Sequence, residues 1–298
     1  MDIVVAVEVP AYKQKPKQNE VGSVRPGGTI VQHLLGDDAP DGLNFRFLRS
    51  QFQSGAEAYD TPRHHHAFQQ LRWAESGDLN YAPGRYIPQG DLAYFPRGTW
   101  YGPQHKDTGI SVALQLGFNG EQQSGEAWAR YRDQAMANLE ARGHFEKGVY
   151  IEVDPETGER SERDAVQALF EAQYEARTGQ KWTTPAEGYE TPILIHPEAF
   201  EYFYAAPGVE MRKLGNFFDH AGPNADIRLS MLRLTETGTY TFKPDRAQVA
   251  WSRTAGLSIE GTTYPELTFV YSPRDETVDI ASAVHGLEMY VVEFPRLD

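Results

Sequence analysis

The stretch "TPRHHHAFQQLRWAESG", Thr61 to Gly77, places three consecutive histidines ahead of an apolar run that ends at a glycine. The chain has nine histidines, so a third of them lie here. Side chains along a β-strand alternate between its two faces. If residues 64–72 form a regular strand, His64 and His66 share one face, and His65 points the other way, to solvent or a neighbouring segment. Two imidazoles on one face of a β-strand commonly act as ligands of a divalent metal.

The same alternation adds Phe68, Gln70 and Arg72 to the histidine face. Phe68 and Arg72 are therefore candidates for contacting a substrate, and Arg72 could pair with a substrate carboxylate. An ion pair between Arg72 and Glu75 or Asp78, at the end of the strand, is the alternative.

A second stretch, "GDLAYFPRGTWY" at residues 90–101, supplies a glycine, a proline and a glycine at Gly90, Pro96 and Gly98. Together the two stretches resemble the two motifs of the cupin superfamily. His64 and His66 take the places of the family's two histidines in the first motif, and Gly77 is its closing glycine. Gly90, Pro96 and Gly98 have the spacing of the second motif.

Two positions depart from the family pattern: Gln70 stands where cupins have glutamate, and Tyr101 stands where they have histidine. The resemblance implies a divalent transition metal (Fe, Mn, Ni or Zn) held by His64, His66, Gln70 and Tyr101. Tyr101 could instead remain neutral as a general acid or base. His105, four residues further on, is a second candidate for proton transfer or ligation. The alternatives are a metal-free pocket, in which the histidines hydrogen-bond a ligand, and a structural or surface cluster. Trp100 could line the substrate site or belong to the core.

The resemblance implies a mainly β fold with two cupin-type jelly-roll barrels joined by a helical linker. Short alternating runs with frequent glycine and proline favour β structure at both ends of the chain, and helical periodicity dominates the middle. The predicted boundaries are residues 1–120, 121–189 and 190–298. Pro96-Arg97 and Pro273-Arg274 follow Gly77 and Gly256 at similar distances, which indicates an internal duplication.

In the second half of the chain, Lys243 and Asp245 fall where the histidines of the first motif would stand. The predicted C-terminal barrel is therefore metal-free.

The bulk composition limits the classes of partner that this protein can bind. A formal net charge of −14 disfavours nucleic acid, whose phosphates require a basic surface. The absence of cysteine excludes disulfides and thiolate metal sites. The N-terminus lacks the basic start and long apolar core of a signal peptide, and no run approaches the roughly 18 apolar residues of a membrane span. We therefore expect a cytoplasmic protein with no membrane partner, and a monomer and a homodimer are both compatible with the pattern.

No phosphate-binding glycine loop, dinucleotide fingerprint or nucleophile elbow is found in the sequence. The prediction is a metal-dependent cupin enzyme acting on a small organic molecule, of the oxidoreductase or dioxygenase type. The alternatives are a metal-free isomerase or cyclase and a non-catalytic ligand-binding protein.

Overall fold

The computed structural model describes residues 1–14, 29–38, 43–55, 58–61, 63–66, 68–118, 131–146, 148–183, 189–218 and 226–296. The chain divides into two compact units. Unit 1 contains Met1–Ala11, Gln32–Leu48 and Ile195–Asp298, and unit 2 contains Tyr12–Val31 and Arg49–Leu194.

Strands dominate the described structure. In chain order they are β1 (Asp2–Val5), β2 (Tyr12–Gln14), β3 (Thr29–Asp38), β4 (Leu43–Phe52), β5 (Tyr59–Thr61), β6 (Gln69–Ser76), β7 (Leu79–Ala82), β8 (Arg85–Ile87), β9 (Leu92–Phe95), β10 (Gln104–Lys106), β11 (Ile110–Phe118), β12 (Gly143–Glu146), β13 (Val149–Val153), β14 (Arg160–Asp164), β15 (Ile193–Ile195), β16 (Phe203–Ala206), β17 (Val209–Phe218), β18 (Asp226–Leu234), β19 (Thr239–Phe242), β20 (Gln248–Ser252), β21 (Leu257–Ile259), β22 (Thr262–Tyr264), β23 (Thr268–Ser272), β24 (Val278–Ser282) and β25 (Leu287–Glu293). The α-helices are α1 (Arg132–Glu140) and α2 (Ala165–Thr178), and single 3-10 turns cover Ala6–Glu8 and Pro197–Ala199.

Unit 1 is built on a seven-stranded sheet of order β1-β23-β20-β25-β18-β17-β16 and a four-stranded sheet of order β19-β24-β21-β22. An apolar core containing residues of both sheets, such as Leu232 and Met289 from the larger and Phe242 and Ile280 from the smaller, lies between them. Burying this core is the main contribution to the stability of the unit.

The other face of the large unit 1 sheet carries aromatic side chains. The Phe47 ring centroid lies 5.5 Å from that of Trp251 and 5.4 Å from that of Phe269. The Phe45 ring centroid lies 5.0 Å from that of Phe294. Strands of this sheet are therefore buried on both faces, and every residue of "QVAWS" and "TFVYS" is buried.

A second seven-stranded sheet has the order β15-β9-β6-β11-β4-β3-β2, and the boundaries between the units fall within β3 and β4. The strand order is the same in both large sheets: β6 lies between β9 and β11 as β20 lies between β23 and β25. This repeated order supports the predicted duplication. In each large sheet, the edge strand next to these three strands comes from a distant part of the sequence. It is β1, beside β23, in the first sheet and β15, beside β9, in the second.

The core of unit 2 includes side chains from β6 and β9 together with residues of β4, β7, β8 and the turn that contains Tyr101. Ala74 of β6 and Phe95 of β9 belong to this core. Gln70 and Arg72 have the same parity along β6 as Ala74, so they point to the same side of the sheet. The pairs β5-β10 and β7-β8 form two further small sheets in this unit.

The prediction of a mainly β chain is confirmed. No sheet in the described part of the chain closes on itself, so the two jelly-roll barrels remain a prediction. The predicted helical segment 121–189 is more varied than expected: α1 and α2 flank a three-stranded sheet of β12, β13 and β14. Its residues 121–130, 147 and 184–188 lie outside the described residues.

Helix α2 begins and ends as its sequence indicates. The Asp164 side chain accepts a hydrogen bond from the Gln167 backbone N–H, which caps the first turn. Gly179 ends the helix in the left-handed conformation, with a φ of 69°.

Candidate functional site

Backbone hydrogen bonds join the histidine stretch, residues 61–77, to the glycine-containing stretch, residues 90–101. His64 N–H donates to the Tyr101 carbonyl at 2.9 Å, and Tyr101 N–H donates to the His64 carbonyl at 3.0 Å. Gly98 N–H donates to the His66 carbonyl at 2.9 Å. Gly98 has a φ of 78° and Gly77 a φ of 71°, a region that favours glycine over residues with a Cβ. The glycine positions of the motif are thus required by turns that bring Tyr101 to the histidines.

The side chains of His64, His66 and Tyr101 converge, and we call them the histidine–tyrosine cluster. The ring centroid of His64 lies 5.0 Å from that of His66 and 4.4 Å from that of Tyr101. The His66 and Tyr101 ring centroids are 5.8 Å apart. His64 and Tyr101 are buried. The structure therefore brings together three of the four predicted metal ligands.

Aromatic rings surround this cluster. Phe68 stacks on His66 with an interplanar angle of 13° and a centroid distance of 4.4 Å. Phe95 contacts Tyr101 at 4.6 Å between centroids. The predicted position of Phe68 beside the histidines is observed, although regular strand β6 begins only at Gln69 rather than at residue 64.

Gln70, the fourth predicted ligand, is engaged by a neighbour. With its amide oxygen turned towards Arg72, that oxygen accepts hydrogen bonds from Arg72 Nε at 2.9 Å and Nη2 at 2.8 Å. Arg72 Cζ also lies 5.6 Å from the Phe95 ring centroid. The alternative ion pair of Arg72 with Glu75 does not form, because Glu75 is bound by Arg49 at 2.6 Å.

A set of buried polar groups lies on one face of the β5-β10 pair. Gln104 and Lys106 are both 3% exposed, and Thr61, which pairs with Gln104 across the two strands, is 2% exposed. Lys106 Nζ donates to Gln104 Oε1 at 3.1 Å and lies 4.9 Å from the Phe52 ring centroid. Burial lowers the pKa of the Lys106 ammonium well below its usual range, and the Arg72 cation lowers it further.

Several atoms of these groups have no hydrogen-bond partner among the described residues: Arg72 Nη1, Gln104 Nε2 and Thr61 Oγ1. Buried polar atoms are nearly always paired, so unpaired ones indicate a missing partner. We call Arg72, Gln104 and Lys106 the buried donor set. The unpaired atoms of this set, Arg72 Nη1 and Gln104 Nε2, are hydrogen-bond donors. Among the described residues, no carboxylate forms an ion pair with Arg72 or Lys106.

The sequence analysis missed Gln104 and Lys106. The available signal was the alternation in "QHK", which places the residues on either side of His105 on one strand face. His105 itself lies on the opposite face, exposed, with Nδ1 2.6 Å from Asp60 Oδ1. That hydrogen bond raises the pKa of His105. The structure does not bring His105 to the histidine–tyrosine cluster.

Trp100 and His65 contact each other. The His65 ring lies 4.0 Å from the Trp100 ring, and Arg63 Cζ lies 5.3 Å from the same ring. Of the two expected surroundings of His65, solvent and a neighbouring segment, the structure shows the second, because His65 packs against Trp100 and is 3% exposed. Neither ring nitrogen has a hydrogen-bond partner among the described residues.

We expect His65 to make the protein sensitive to acid. Burial lowers the pKa of His65 from 6.5 to about 4. Between these values the unfolded chain binds a proton that the folded chain does not, so stability is lost as the pH falls through this window. The expected loss is about 3 kcal/mol between pH 7.5 and pH 4. A His65→Phe variant lacks this contribution, as urea unfolding at both pH values would measure.

At pH 7.5 the same variant should be no less stable than the parent, because it removes two buried nitrogens that lack partners. His285→Phe is the matched control, since His285 is exposed. An unchanged pH dependence in His65→Phe would contradict the assignment.

No protein-family model and no curated protein sequence matches this chain. Solved structures do match. A Nostoc punctiforme protein provisionally described as a dioxygenase aligns over 100% of this chain and 84% of its own, with a TM-score of 0.56 and 8% identity. An oxalate decarboxylase aligns over 98% of this chain and 77% of its own, with a TM-score of 0.51 and 10% identity. The Lactobacillus farciminis oxalate decarboxylase in complex with formate covers 99% and 86%, with a TM-score of 0.50 and 12% identity.

The chain has a cupin fold. The likeness extends over nearly the whole chain and agrees with the motif spacing, so the resemblance predicted from the histidine and glycine stretches is confirmed at the level of the fold. Identities of this size show the cupin fold alone.

The metal predicted for this cupin was tested against its donor set. Within the described ranges no group of three His, Cys, Asp or Glu side chains could hold a metal ion. Two imidazoles and a phenol do converge, and all three are ligands of transition metals. Gln70 adds no free oxygen, because Arg72 occupies it. The chemistry of His64, His66 and Tyr101 therefore fits a transition metal, whereas Gln70 adds no ligand to them.

Within the described part of the cupin chain, no helix has the length and apolar composition needed to cross a membrane. The expected cytoplasmic location remains a prediction.

Proposed function

We propose that this chain is a cupin enzyme that acts on a small organic anion inside unit 2. One observation carries the proposal: the buried donor set, with unpaired nitrogens of Arg72 and Gln104, contacts the same apolar cluster that contains Tyr101, through Phe95 and Phe52. Phe95 links the two groups, since its ring contacts both Tyr101 and the Arg72 guanidinium.

The buried donor set favours a carboxylate over a neutral ligand. A half-buried guanidinium beside a buried amine is costly without a counter-ion, and a carboxylate would supply the acceptors that the unpaired donors lack. The lowered pKa of Lys106 adds a consequence. An anion bound nearby favours the ammonium form, so binding takes up a proton and weakens as the pH rises.

The histidine–tyrosine cluster is the second half of the proposed site. A divalent transition metal on His64, His66 and Tyr101 would supply a Lewis acid and an open position for a reactant. Tyr101 carries a hydroxyl that can also hold or donate a proton when it is not a ligand. Phe68 and Phe95 keep this region apolar, which strengthens electrostatic interactions within it.

The reaction class is the most specific part of the proposal. We infer an oxidoreductase of the dioxygenase type, in keeping with the description of the Nostoc punctiforme neighbour. The second candidate is a metal-free isomerase or cyclase, in which His64 or Tyr101 moves the proton. The absence of a third His, Cys, Asp or Glu ligand among the described residues favours that candidate.

We expect the purified, untagged protein to contain close to one transition metal per chain, and His64→Ala/His66→Ala to contain almost none. Loss of two of three protein ligands removes most of the binding free energy. Inductively coupled plasma mass spectrometry measures this directly. His285→Ala is the matched control, because His285 is an exposed histidine of unit 1. Failure to bind iron, manganese, nickel or zinc after reconstitution would exclude the metal and leave the metal-free candidate.

The anion is tested separately by calorimetry with formate and oxalate as probes. We expect binding that weakens as the pH rises and that falls at least about 10-fold in Arg72→Met. Arg85→Met is the control, since Arg85 is exposed on β8. Binding of neither probe, or equal binding to Arg72→Met, would contradict an anionic substrate at this site.

A further inference from the structure

Unit 1 contains a cleft that the proposed function does not use. It lies at the edge of the sandwich, between β16–β18 on one side and β19 on the other, and its volume is about 860 Å³. Pockets of small-molecule sites span roughly 300–1,000 Å³, so the cleft is large enough for an organic ligand. The corresponding region of unit 2, around β5 and the segment after it, carries the histidine–tyrosine cluster.

No histidine lines the cleft within the ranges that the structure describes. Lys243, which stands where the first cupin motif would place a histidine, follows β19 directly and lines the cleft. A protonated lysine is a hydrogen-bond donor and does not ligate a metal. Whatever binds here is therefore held by charge and packing.

The charge of the cleft is positive in a chain of formal net charge −14. Lys213, Arg228 and Lys243 line it, and among the described residues Glu293 is the one acidic residue in its lining. Glu293 is paired with Arg228 at 3.2 Å, and Arg228 is also bound to Asp226. Lys213 and Lys243 have no ion-pair partner in the part of the chain that the structure describes. Two ammonium groups are thus left for an anionic ligand.

Apolar and aromatic side chains also line the cleft. Phe200, Phe203 and Tyr204 are 38%, 43% and 72% exposed, and all three line the cleft. Large exposed apolar side chains grouped at one place mark binding surfaces. Lys213 Nζ lies 5.5 Å from the Phe203 ring centroid, so a charged group and an aromatic face are available side by side.

Tyr240 adds a polar group at the cleft. No hydrogen bond to its hydroxyl is found among the described residues, and burial, with a smaller contribution from Glu293, raises the pKa of that hydroxyl. It remains a neutral donor across the physiological pH range. Ser230 and Asn216 are further polar lining residues.

We infer that the unit 1 cleft is a second ligand site, which binds a small organic anion with a flat aromatic or apolar body. The anionic group lies between Lys213 and Lys243, within reach of the Tyr240 hydroxyl, and the body packs against Phe203 and Tyr204. The site is independent of the proposed reaction in unit 2.

The test uses 2-naphthoate and its neutral analogue 2-naphthamide as probes, with isothermal titration calorimetry on the full chain. We expect 2-naphthoate to bind at least about 10-fold more tightly than 2-naphthamide at low salt, and Lys213→Met/Lys243→Met to remove most of that preference. Phe203→Ala should weaken both probes, because it removes the packing surface and not the charge.

Lys13→Met/Lys181→Met is the matched control: it changes the net charge equally at lysines outside the cleft and should bind 2-naphthoate like the parent. Arg72→Met, which removes the anion contact proposed in unit 2, should also bind 2-naphthoate normally, and this separates the two sites. Equal binding of the two probes, no binding of either, or the same loss in the control and the cleft variant would overturn the inference. Circular dichroism confirms that each variant is folded.

Discussion

Asp226→Ala is expected to cost about 3–5 kcal/mol of unfolding free energy, because it leaves a buried arginine without its counter-ion. Arg246 Nη2 lies 2.7 Å from Asp226 Oδ1, and the two side chains are only 2% and 1% exposed. Burial acts to raise the pKa of Asp226, but hydrogen bonds from Arg228 and Arg246 leave it below its usual value. Asp226 therefore stabilises unit 1 when ionised, and this stabilisation is lost as the pH falls through its lowered pKa.

The same pair should tolerate joint replacement better than single replacement. In Asp226→Leu/Arg246→Met no charge remains unpaired, and we expect about 2 kcal/mol or more of the loss to be recovered. Arg160 and Glu162 form the exposed control, with 2.6 Å between their charged atoms and side chains 59% and 53% exposed. Urea unfolding of Glu162→Ala should differ little from the parent. A comparable loss in Glu162→Ala and Asp226→Ala would show that burial is not the cause.

The cupin fold could be predicted from the sequence because the motif glycines lie where the local backbone has a positive φ. Gly98 has a positive φ, which glycine adopts without strain, and its N–H donates to the His66 carbonyl. Spacing alone therefore located the turn that carries Tyr101 to His64. The edge strands were not predicted, because β1 pairs with β23 through residues more than 260 positions apart, as Asp2 with Tyr271 shows.

The state of Gln70 could not be predicted, because it depends on a residue from another strand. Arg72 had Glu75 as a nearby acid in the sequence, and only the pairing of Arg49 with Glu75 frees Arg72 for Gln70. The burial of Lys106 depends in the same way on the pairing of β10 with β5, some 45 residues earlier. The prediction of a ligand therefore fails where a residue from a distant strand determines which partner that side chain binds.

Lys106→Met should stabilise the folded chain and weaken anion binding. The lysine amine is buried against Phe52 and Tyr59, with Gln104 Oε1 as its one hydrogen-bond acceptor among the described residues. Replacing it with an apolar side chain of similar length removes the cost of burying the group, so we expect a gain of about 1–3 kcal/mol at pH 7. Binding of oxalate, measured by calorimetry, should fall at least about 10-fold, because the variant removes a donor from the site.

The pH dependence separates this effect from ordinary repacking. Because the pKa of Lys106 is lowered on folding, the unfolded chain holds a proton that the folded chain lacks between the lowered value and the usual 10.5. Stability of the parent therefore rises with pH in this window, and the rise should be smaller in Lys106→Met. Lys181→Met is the control, since Lys181 is an exposed lysine outside both proposed ligand sites and should alter neither the pH profile nor oxalate binding. A Lys106→Met variant that is less stable than the parent, or that binds oxalate as tightly, would show that this lysine supports the fold and takes no part in holding an anion.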